Sequence, residues 1–270
     1  MIYIQAPLPF QGQKRDFLVQ FRQVIKKYPK DTVFVDLFGG SGLLSHTIKT
    51  IYPTATVVYN DFDNYSKRLL NVATTNEILA QIREITKDAP KEKRLNEAQK
   101  ERIIKILKQA EIEGKYIDYY TISTSILFTM NYFTSISELE KAQLYNRCRI
   151  SNYDANGYLD GLEIVRQDYK TLIHSHKNTK NVVFIADPPY LNTDCVSYKS
   201  ANFWTIKEYL DILTQLNNER FIYFTSSKSG IVDLCEWLNE HTKFNLFENV
   251  KIEKKIKKGT VNYTDMMIYN

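Results

Sequence analysis

The sequence predicts an α/β fold: strands alternating with helices, closed by an antiparallel C-terminal hairpin and interrupted by a mostly helical insertion. Three observations carry this reading. Apolar runs of strand length stand at Val33–Leu37, Val182–Ala186 and Phe221–Phe224, separated by segments whose apolar residues recur at helical spacing. The first run leads into a glycine turn, a helix and a second strand ending on an acid, all within positions 33 to 61. That is the βαβ order of a nucleotide-binding unit. The tail from Phe244 to Asn270 holds two strand-like stretches around a basic run.

The elements follow in order. Phe17, Phe21, Val24 and Ile25 fall at i, i+4, i+7 and i+8 and predict a first helix. After the strand Val33–Leu37, the run Phe38-Gly39-Gly40-Ser41-Gly42 reads as a turn. Leu44, Ile48 and Ile51 then share one helix face, with Pro53 just beyond. Ala55 to Tyr59 reads as the second strand, ending at Asn60-Asp61. From 63 to 157 the character changes to charge-rich and aromatic sequence, with a helix marked by Ile103, Ile106, Leu107 and Ala110. Strand-like sequence resumes at Leu162–Val165. The expected organisation is therefore a catalytic domain of residues 1–62 and 158–270 with an insertion at 63–157. Beyond Tyr190, Ile206, Tyr209, Leu210 and Leu213 predict a helix with these residues on one apolar face, and the stretch Ile231–Leu238 predicts another. The run Lys254-Lys255-Ile256-Lys257-Lys258-Gly259 is expected to form the turn of the terminal hairpin.

Composition narrows the class. Apolar content of 43% and charged content of 25% are those of an ordinary globular protein. No apolar stretch approaches the roughly 20 residues that span a bilayer. The start Met1-Ile2-Tyr3-Ile4-Gln5 does not read as a signal peptide. Cys148, Cys195 and Cys235 are isolated, with no metal-ligand spacing, so no metal site is expected and a reducing cytoplasm is the plain expectation. The net charge of +5 leans mildly towards polyanions.

Two strand ends carry chemistry. Gly39 and Gly40, lacking Cβ atoms, let a ligand approach the backbone; a tight structural turn is the other reading. The missing GK[ST] ending argues against a phosphate-cradling loop. Asp61 closes the second strand, where an acid accepts hydrogen bonds from ribose hydroxyls; capping the following helix is the alternative. The tetrapeptide Asp187-Pro188-Pro189-Tyr190 follows a buried strand. Its prolines fix φ and leave outward carbonyl acceptors, and with Asp187 they form a rigid acceptor array suited to an exocyclic amino group. Tyr190 adds a face for stacking a planar base. A strand-terminating turn is the plainer alternative. Lys14 reads either as a group reaching a cofactor carboxylate or as a solvated surface lysine.

Taken together, these residues resemble the Dam-like DNA adenine N6-methyltransferases, the α-group of amino-methyltransferases. The resemblance rests on Phe10 to Lys14, Asp36-Leu37-Phe38-Gly39-Gly40, Asp61, Val165-Arg166-Gln167-Asp168-Tyr169 and the tetrapeptide, in the family's order along most of the chain. It implies a Rossmann-like methyltransferase sheet with a target-recognition insertion, and S-adenosylmethionine as methyl donor. Phe10 would pack on that cofactor and Lys14 bind its carboxylate end. Asp36, Phe38, Gly39 and Gly40 would line its pocket, Asp61 hold its ribose, Asp168 and Tyr169 face its adenine, and Asp187 bridge cofactor and target. Asp187, Pro188, Pro189 and Tyr190 would be catalytic, acting on an adenine flipped out of duplex DNA.

Arg147 and Arg149 of the insertion and Lys254, Lys255, Lys257 and Lys258 are the expected phosphate contacts; for the lysines, a solvated charge run is the alternative. Tyr132, Phe133 and Tyr145 would either stack near the flipped base or pack in the core. The hairpin that GATC-reading relatives use is replaced by Asn146-Arg147-Cys148-Arg149 and Asn152 to Gly157, so the target word stays open. A monomer is expected, with a cognate restriction endonuclease as a candidate partner. Two other functions fit the same residues: methylation of cytosine N4 or RNA adenine, and DNA binding without catalysis.

Overall fold

The computed structural model of the protein describes residues 2–128, 132–189, 204–242, 249–258 and 262–270. Its helices are α1 (Leu18–Ile25), α2 (Leu43–Ile51), α3 (Tyr65–Leu70), α4 (Val72–Thr86), α5 (Glu97–Ile112), α6 (Tyr119–Ile126), α7 (Ile136–Lys141), α8 (Tyr169–His176), α9 (Ile206–Leu216) and α10 (Ile231–His241). Its strands are β1 (Val33–Asp36), β2 (Val57–Asn60), β3 (Glu163–Val165), β4 (Val182–Ala186), β5 (Phe221–Ser226), β6 (Lys251–Lys257) and β7 (Tyr263–Tyr269). The chain divides into two compact units: residues 1–6, 12–65 and 159–270 form the first, and residues 7–11 and 66–158 the second. Among the described residues, no helix is long and apolar enough to cross a membrane.

The first unit is a mixed α/β body around one seven-stranded sheet of order β3-β2-β1-β4-β5-β7-β6. β3, β2, β1, β4 and β5 are mutually parallel, and β7 joins antiparallel with β6 as its hairpin partner. This is a Rossmann-like methyltransferase fold. The parallel strands read as continuous apolar runs because both faces of the sheet are covered. Along β4 the pleat sends Val183 and Ile185 to the side holding Phe21 and Val24 of α1 and Leu44 and Ile48 of α2. It sends Val182, Phe184 and Ala186 to the side holding Leu172 of α8, Leu213 of α9 and Ile231 of α10. All five β4 residues are buried.

The order of the strands fixes where a ligand can sit. From β1 the chain winds outward through β2 and β3, then returns to place β4 on the other flank of β1 and winds the opposite way. The switch point therefore lies between β1 and β4, and the crevice beyond the carboxyl ends of such strands is where open α/β sheets bind ligands.

The second unit is helical among its described residues, apart from a short bridge between Arg94 and Tyr145. Its own core joins Ile78, Leu79 and Ile82 of α4, Ile103 and Leu107 of α5, Ile122 and Ile126 of α6, and Leu139 of α7. α5 starts at Glu97, where Asn96 accepts from the Gln99 N–H and Gln99 returns the bond, a reciprocal cap. Arg68 sits buried beneath α6, its Nε 3.1 Å from Asp118 and its Nη2 donating to the Pro9 carbonyl at 2.8 Å and to Thr121 Oγ1 at 3.0 Å.

Two expectations are corrected. The basic run is not a turn: Lys254, Lys255 and Lys257 lie within β6, and only Lys258 follows it. β6 is an edge strand, where charged side chains prevent further pairing, and its exposed alternation hid the strand from a reading that looked for apolar residues. Ile206 does not face the core but is 52% exposed; the buried face of α9 is Tyr209, Ile212, Leu213 and Leu216.

Candidate active site at the carboxyl ends of the central strands

β1 and β4 run side by side with Asp36 opposite Ile185, and the Leu37 N–H donates to the Ile185 carbonyl at 2.9 Å. The two chemically loaded strand ends of the sequence are thus neighbours at the switch point. Asp36 ends β1 and is 1% exposed. Its Oδ2 accepts from Ser45 Oγ at 2.6 Å, while its Oδ1 is buried with no hydrogen-bond partner among the described residues. Burial pushes this carboxyl from the ordinary 3.8 up to about 7, opposed by the Ser45 hydrogen bond and the Phe38 main-chain N–H and reinforced by the Asp187 charge. A buried polar atom left without a partner is rare in a folded protein and points to a missing ligand or to stored strain.

Asp187 follows β4, with its side chain 19% exposed and its Oδ2 2.5 Å from Lys14 Nζ. Burial raises the carboxyl, the Lys14 ammonium pulls it back by charge and hydrogen bond, and the Asp265 carboxylate pushes it up again. The net direction is upward, so desolvation outweighs the ion pair here. Lys14 also donates to the Gly12 carbonyl at 3.0 Å, so it is neither a free surface lysine nor held away from the acid. Asp265 on β7 was not foreseen. It stands opposite Ser226 in the sheet register, its own carboxyl raised by burial and lowered by Lys14 and Lys257. Nothing in its surroundings in sequence, Tyr263-Thr264-Asp265-Met266, marks it as different from a surface acid in a strand. Pro188 is buried and Pro189 half-buried; Tyr190 lies outside the described residues.

Residues 10–261 match the D12 class N6 adenine-specific DNA methyltransferases. The chain belongs to this family. It is also 37% identical over 276 residues, 98% of this chain and 92% of the relative, to a protein of Haemophilus influenzae (strain ATCC 51907 / DSM 11121 / KW20 / Rd) named "Putative methyltransferase".

The glycine turn of this D12-family chain is packed rather than open. A Cβ on Gly39 would meet Tyr59 Cε2 at 2.2 Å, and the Tyr59 hydroxyl donates to the Gly40 carbonyl at 2.7 Å. Gly39 therefore makes room for a tyrosine of β2, which gives the structural-turn reading its physical content. Gly42, at φ 73°, is the N-cap of α2, a conformation glycine adopts without penalty. Asp61 performs the capping that the sequence set beside ribose binding: its Oδ1 accepts from the Tyr65 N–H at 2.6 Å and lies 3.1 Å from the Tyr59 hydroxyl, whose one proton it shares with the Gly40 carbonyl.

Asp168 likewise caps its helix, α8, accepting from the Lys170 N–H at 2.8 Å, and is exposed. Tyr169 is 8% exposed and joins a ring cluster with Phe38 at 5.4 Å and Trp204 at 5.3 Å. Phe38 and Trp204 are only half-buried, so this cluster shows a partly open aromatic face beside the turn. Trp204 was missed because it precedes α9 outside any periodic pattern.

The second unit holds most of the remaining candidates outside the basic strand β6. Phe10 is half-buried in the segment 7–11, and its expected packing on a cofactor rests on the resemblance alone. Arg147 and Arg149 line an open groove of about 590 Å³ together with Lys91, Glu92 and Asn146. Arg149 lies over the Tyr153 ring at 4.2 Å and donates to Ser151 Oγ at 2.6 Å. Arg147 lies 5.4 Å from the Phe128 ring centroid and donates to the Leu127 carbonyl. Phe133 is buried in this unit's core, and Tyr132 stacks on Tyr120 at 4.3 Å; both are packing aromatics. Tyr145 meets Phe128 edge-on at 4.5 Å. In the first unit Lys257 is bonded to Asp16, whereas Lys254 and Lys258 are exposed.

Proposed function

We propose that this D12-family chain transfers a methyl group from S-adenosylmethionine to the N6 amino group of an adenine in duplex DNA. The observation that carries the proposal is the pairing of Asp187 with Lys14 Nζ at 2.5 Å, beside the partnerless Asp36 Oδ1. One acid at the switch point already accepts a nitrogen donor, and its neighbour has an acceptor to spare.

The donor set suits the cofactor. S-adenosylmethionine supplies an electrophilic methyl group carried on a sulfonium, and it bears an ammonium group and an aromatic purine. Asp36 would accept from the ammonium, Phe38 and Tyr169 would present aromatic surface to the purine, and Asp61 would take the ribose while still capping α3. Gly39 and Gly40 would contribute backbone rather than empty space, since Tyr59 fills the volume beside them. Lys14 would serve Asp187 first and the cofactor carboxylate second.

Catalysis follows from positioning and electrostatics. The target adenine leaves the helix, because N6 cannot reach a buried reaction centre while stacked. Asp187 and the Pro188 carbonyl accept the two N6 hydrogens, which directs the nitrogen lone pair towards the methyl group, and Tyr190 stacks on the base. As the new N–C bond forms, the methyl–sulfur bond would break, its electron pair staying on the sulfur of the departing S-adenosylhomocysteine, and nitrogen would carry a surplus proton. Asp187, with its carboxyl raised by burial, is placed to take that proton and pass it to water. The ionised carboxylate is the working form, so the rate climbs as pH rises through its raised pKa.

The second unit would read the DNA sequence, with Arg147 and Arg149 on phosphates and Lys254 and Lys258 as exposed contacts on the first unit. The test is a transfer assay with labelled S-adenosylmethionine and duplex DNA, followed by digestion and mass spectrometry of the nucleosides. N6-methyldeoxyadenosine is expected, with a loss of about 100-fold or more in Asp187→Ala. N4-methylcytosine as product, or an active Asp187→Ala protein, overturns the proposal.

A further inference from the structure

The side chain of Asn60 does more than end a strand. It is 1% exposed and stands at the last residue of β2, opposite Val165 in the β3 register. Its Nδ2 donates to the Leu37 carbonyl at 2.9 Å and to the Gln167 carbonyl at 2.9 Å. Its Oδ1 accepts from the Gln167 N–H at 3.0 Å. An asparagine amide offers two N–H donors and an oxygen with two lone pairs; here both donors and one lone pair are engaged, all on main-chain groups.

The placement of those groups gives the bonds their meaning. Beyond Asp36, Asn60 and Val165 the pairing of the three strands ends, which leaves main-chain groups without ladder partners. The Asn60 amide replaces the lost ladder. It pairs with Gln167 as a peptide unit would, through one donor and one acceptor, and reaches across to β1 through its other donor. Each tethered residue adjoins a candidate cofactor contact. Leu37 precedes Phe38 and Gly39, Asn60 precedes Asp61, and Gln167 precedes Asp168 and Tyr169.

We propose that Asn60 is a positioning residue for the cofactor site, a side-chain clamp that fixes the spacing of its three loops without touching the ligand. This rests on the reading of the site as one for S-adenosylmethionine. A site whose loops are held in place before binding spends less of its binding free energy on ordering them. Removing the clamp therefore weakens binding more than it slows chemistry, because Asp187 follows β4, and the Asn60 amide bonds to Leu37 and Gln167 instead.

The experiment is calorimetric titration of S-adenosylhomocysteine into wild-type protein and Asn60→Ala, with steady-state kinetics and thermal melting alongside. The expected result is a dissociation constant raised about tenfold or more. The KM for S-adenosylmethionine should rise in parallel, while kcat at saturation and the KM for DNA stay near wild type. Asn60→Ser, which keeps one hydroxyl for a main-chain partner, should fall between the two, and it serves as the test if the alanine variant does not melt cooperatively. Wild-type affinity in either folded variant overturns the clamp. A fall in kcat with unchanged cofactor affinity overturns it too. Failure of the wild-type protein itself to bind S-adenosylhomocysteine would instead remove the cofactor reading on which the clamp rests.

Discussion

Asp36 makes stability depend on pH in an unusual sense, and the effect can be isolated by one isosteric change. Its carboxyl moves from 3.8 to about 7 on folding, with burial as the main cause. Between about pH 4 and pH 7 the folded protein holds a proton that the unfolded chain has released, so stability falls as pH rises through that window. The full displacement corresponds to about 4 kcal/mol, or on the order of 10 °C in melting temperature for a chain of this size. Asp36→Asn keeps the shape and leaves Ser45 an oxygen to donate to, but cannot titrate.

The assay is urea unfolding of wild type and Asp36→Asn at intervals from pH 4 to 8. The quantity to read is the difference between the two profiles, in which titrating groups that do not interact with Asp36 cancel. That difference should shift in favour of the variant as pH rises, by up to about 4 kcal/mol. Titration of a cofactor analogue into the same variant should show the opposite at neutral pH, a weakened complex, because the spare acceptor is gone. A flat difference profile, or one that shifts in favour of wild type with rising pH, refutes the argument that burial outweighs the hydrogen bonds to Asp36.

Two further outcomes can be stated. Arg68→Ala leaves Asp118, whose side chain is 2% exposed, as a buried charge without its cation; equilibrium unfolding should show a loss of about 3–5 kcal/mol, and a change under about 1 kcal/mol would mean the pair behaves as a surface one. Arg149→Ala should lower the slope of log affinity against log salt for duplex DNA by about one and weaken binding to all sequences alike, which fluorescence anisotropy at several salt concentrations would measure.

The sequence exposed the sheet and its loaded ends because the physics there is local. Val182 to Ala186 is apolar throughout since both its faces are buried, and the turn after β1 must be glycine because Tyr59 occupies the space where a Cβ would stand. The same local reading failed at β6, where an edge strand carries lysines and its neighbour supplies the hydrogen bonds. It failed again at Ile206, where helical spacing was right and the face was wrong. What no local pattern could reveal was partnership across long separations. Lys14 meets Asp187, Asn60 meets Gln167, and Arg68 meets Asp118; each residue in isolation is an ordinary polar side chain. Asp265 belongs to the same class, visible only once β7 lies beside β5.

The charge at the switch point also bears on what kind of ligand the crevice can take. Asp36, Asp187 and Asp265 interact there, and Lys14 is the cation that bears on both Asp187 and Asp265. All three carboxyls are raised by burial, which means that negative charge is crowded and poorly solvated. A phosphate-bearing ligand would add to that repulsion, and the turn after β1 lacks the lysine that a phosphate cradle uses. A ligand with positive charge reverses the balance. It would draw the Asp36 carboxyl towards its ionised form, stabilise the fold most at the pH where the unliganded protein is weakest, and thereby couple binding to stability. An acid-rich switch point thus favours a cationic ligand, such as the sulfonium donor proposed above, over the dinucleotides that the same βαβ arrangement elsewhere accepts.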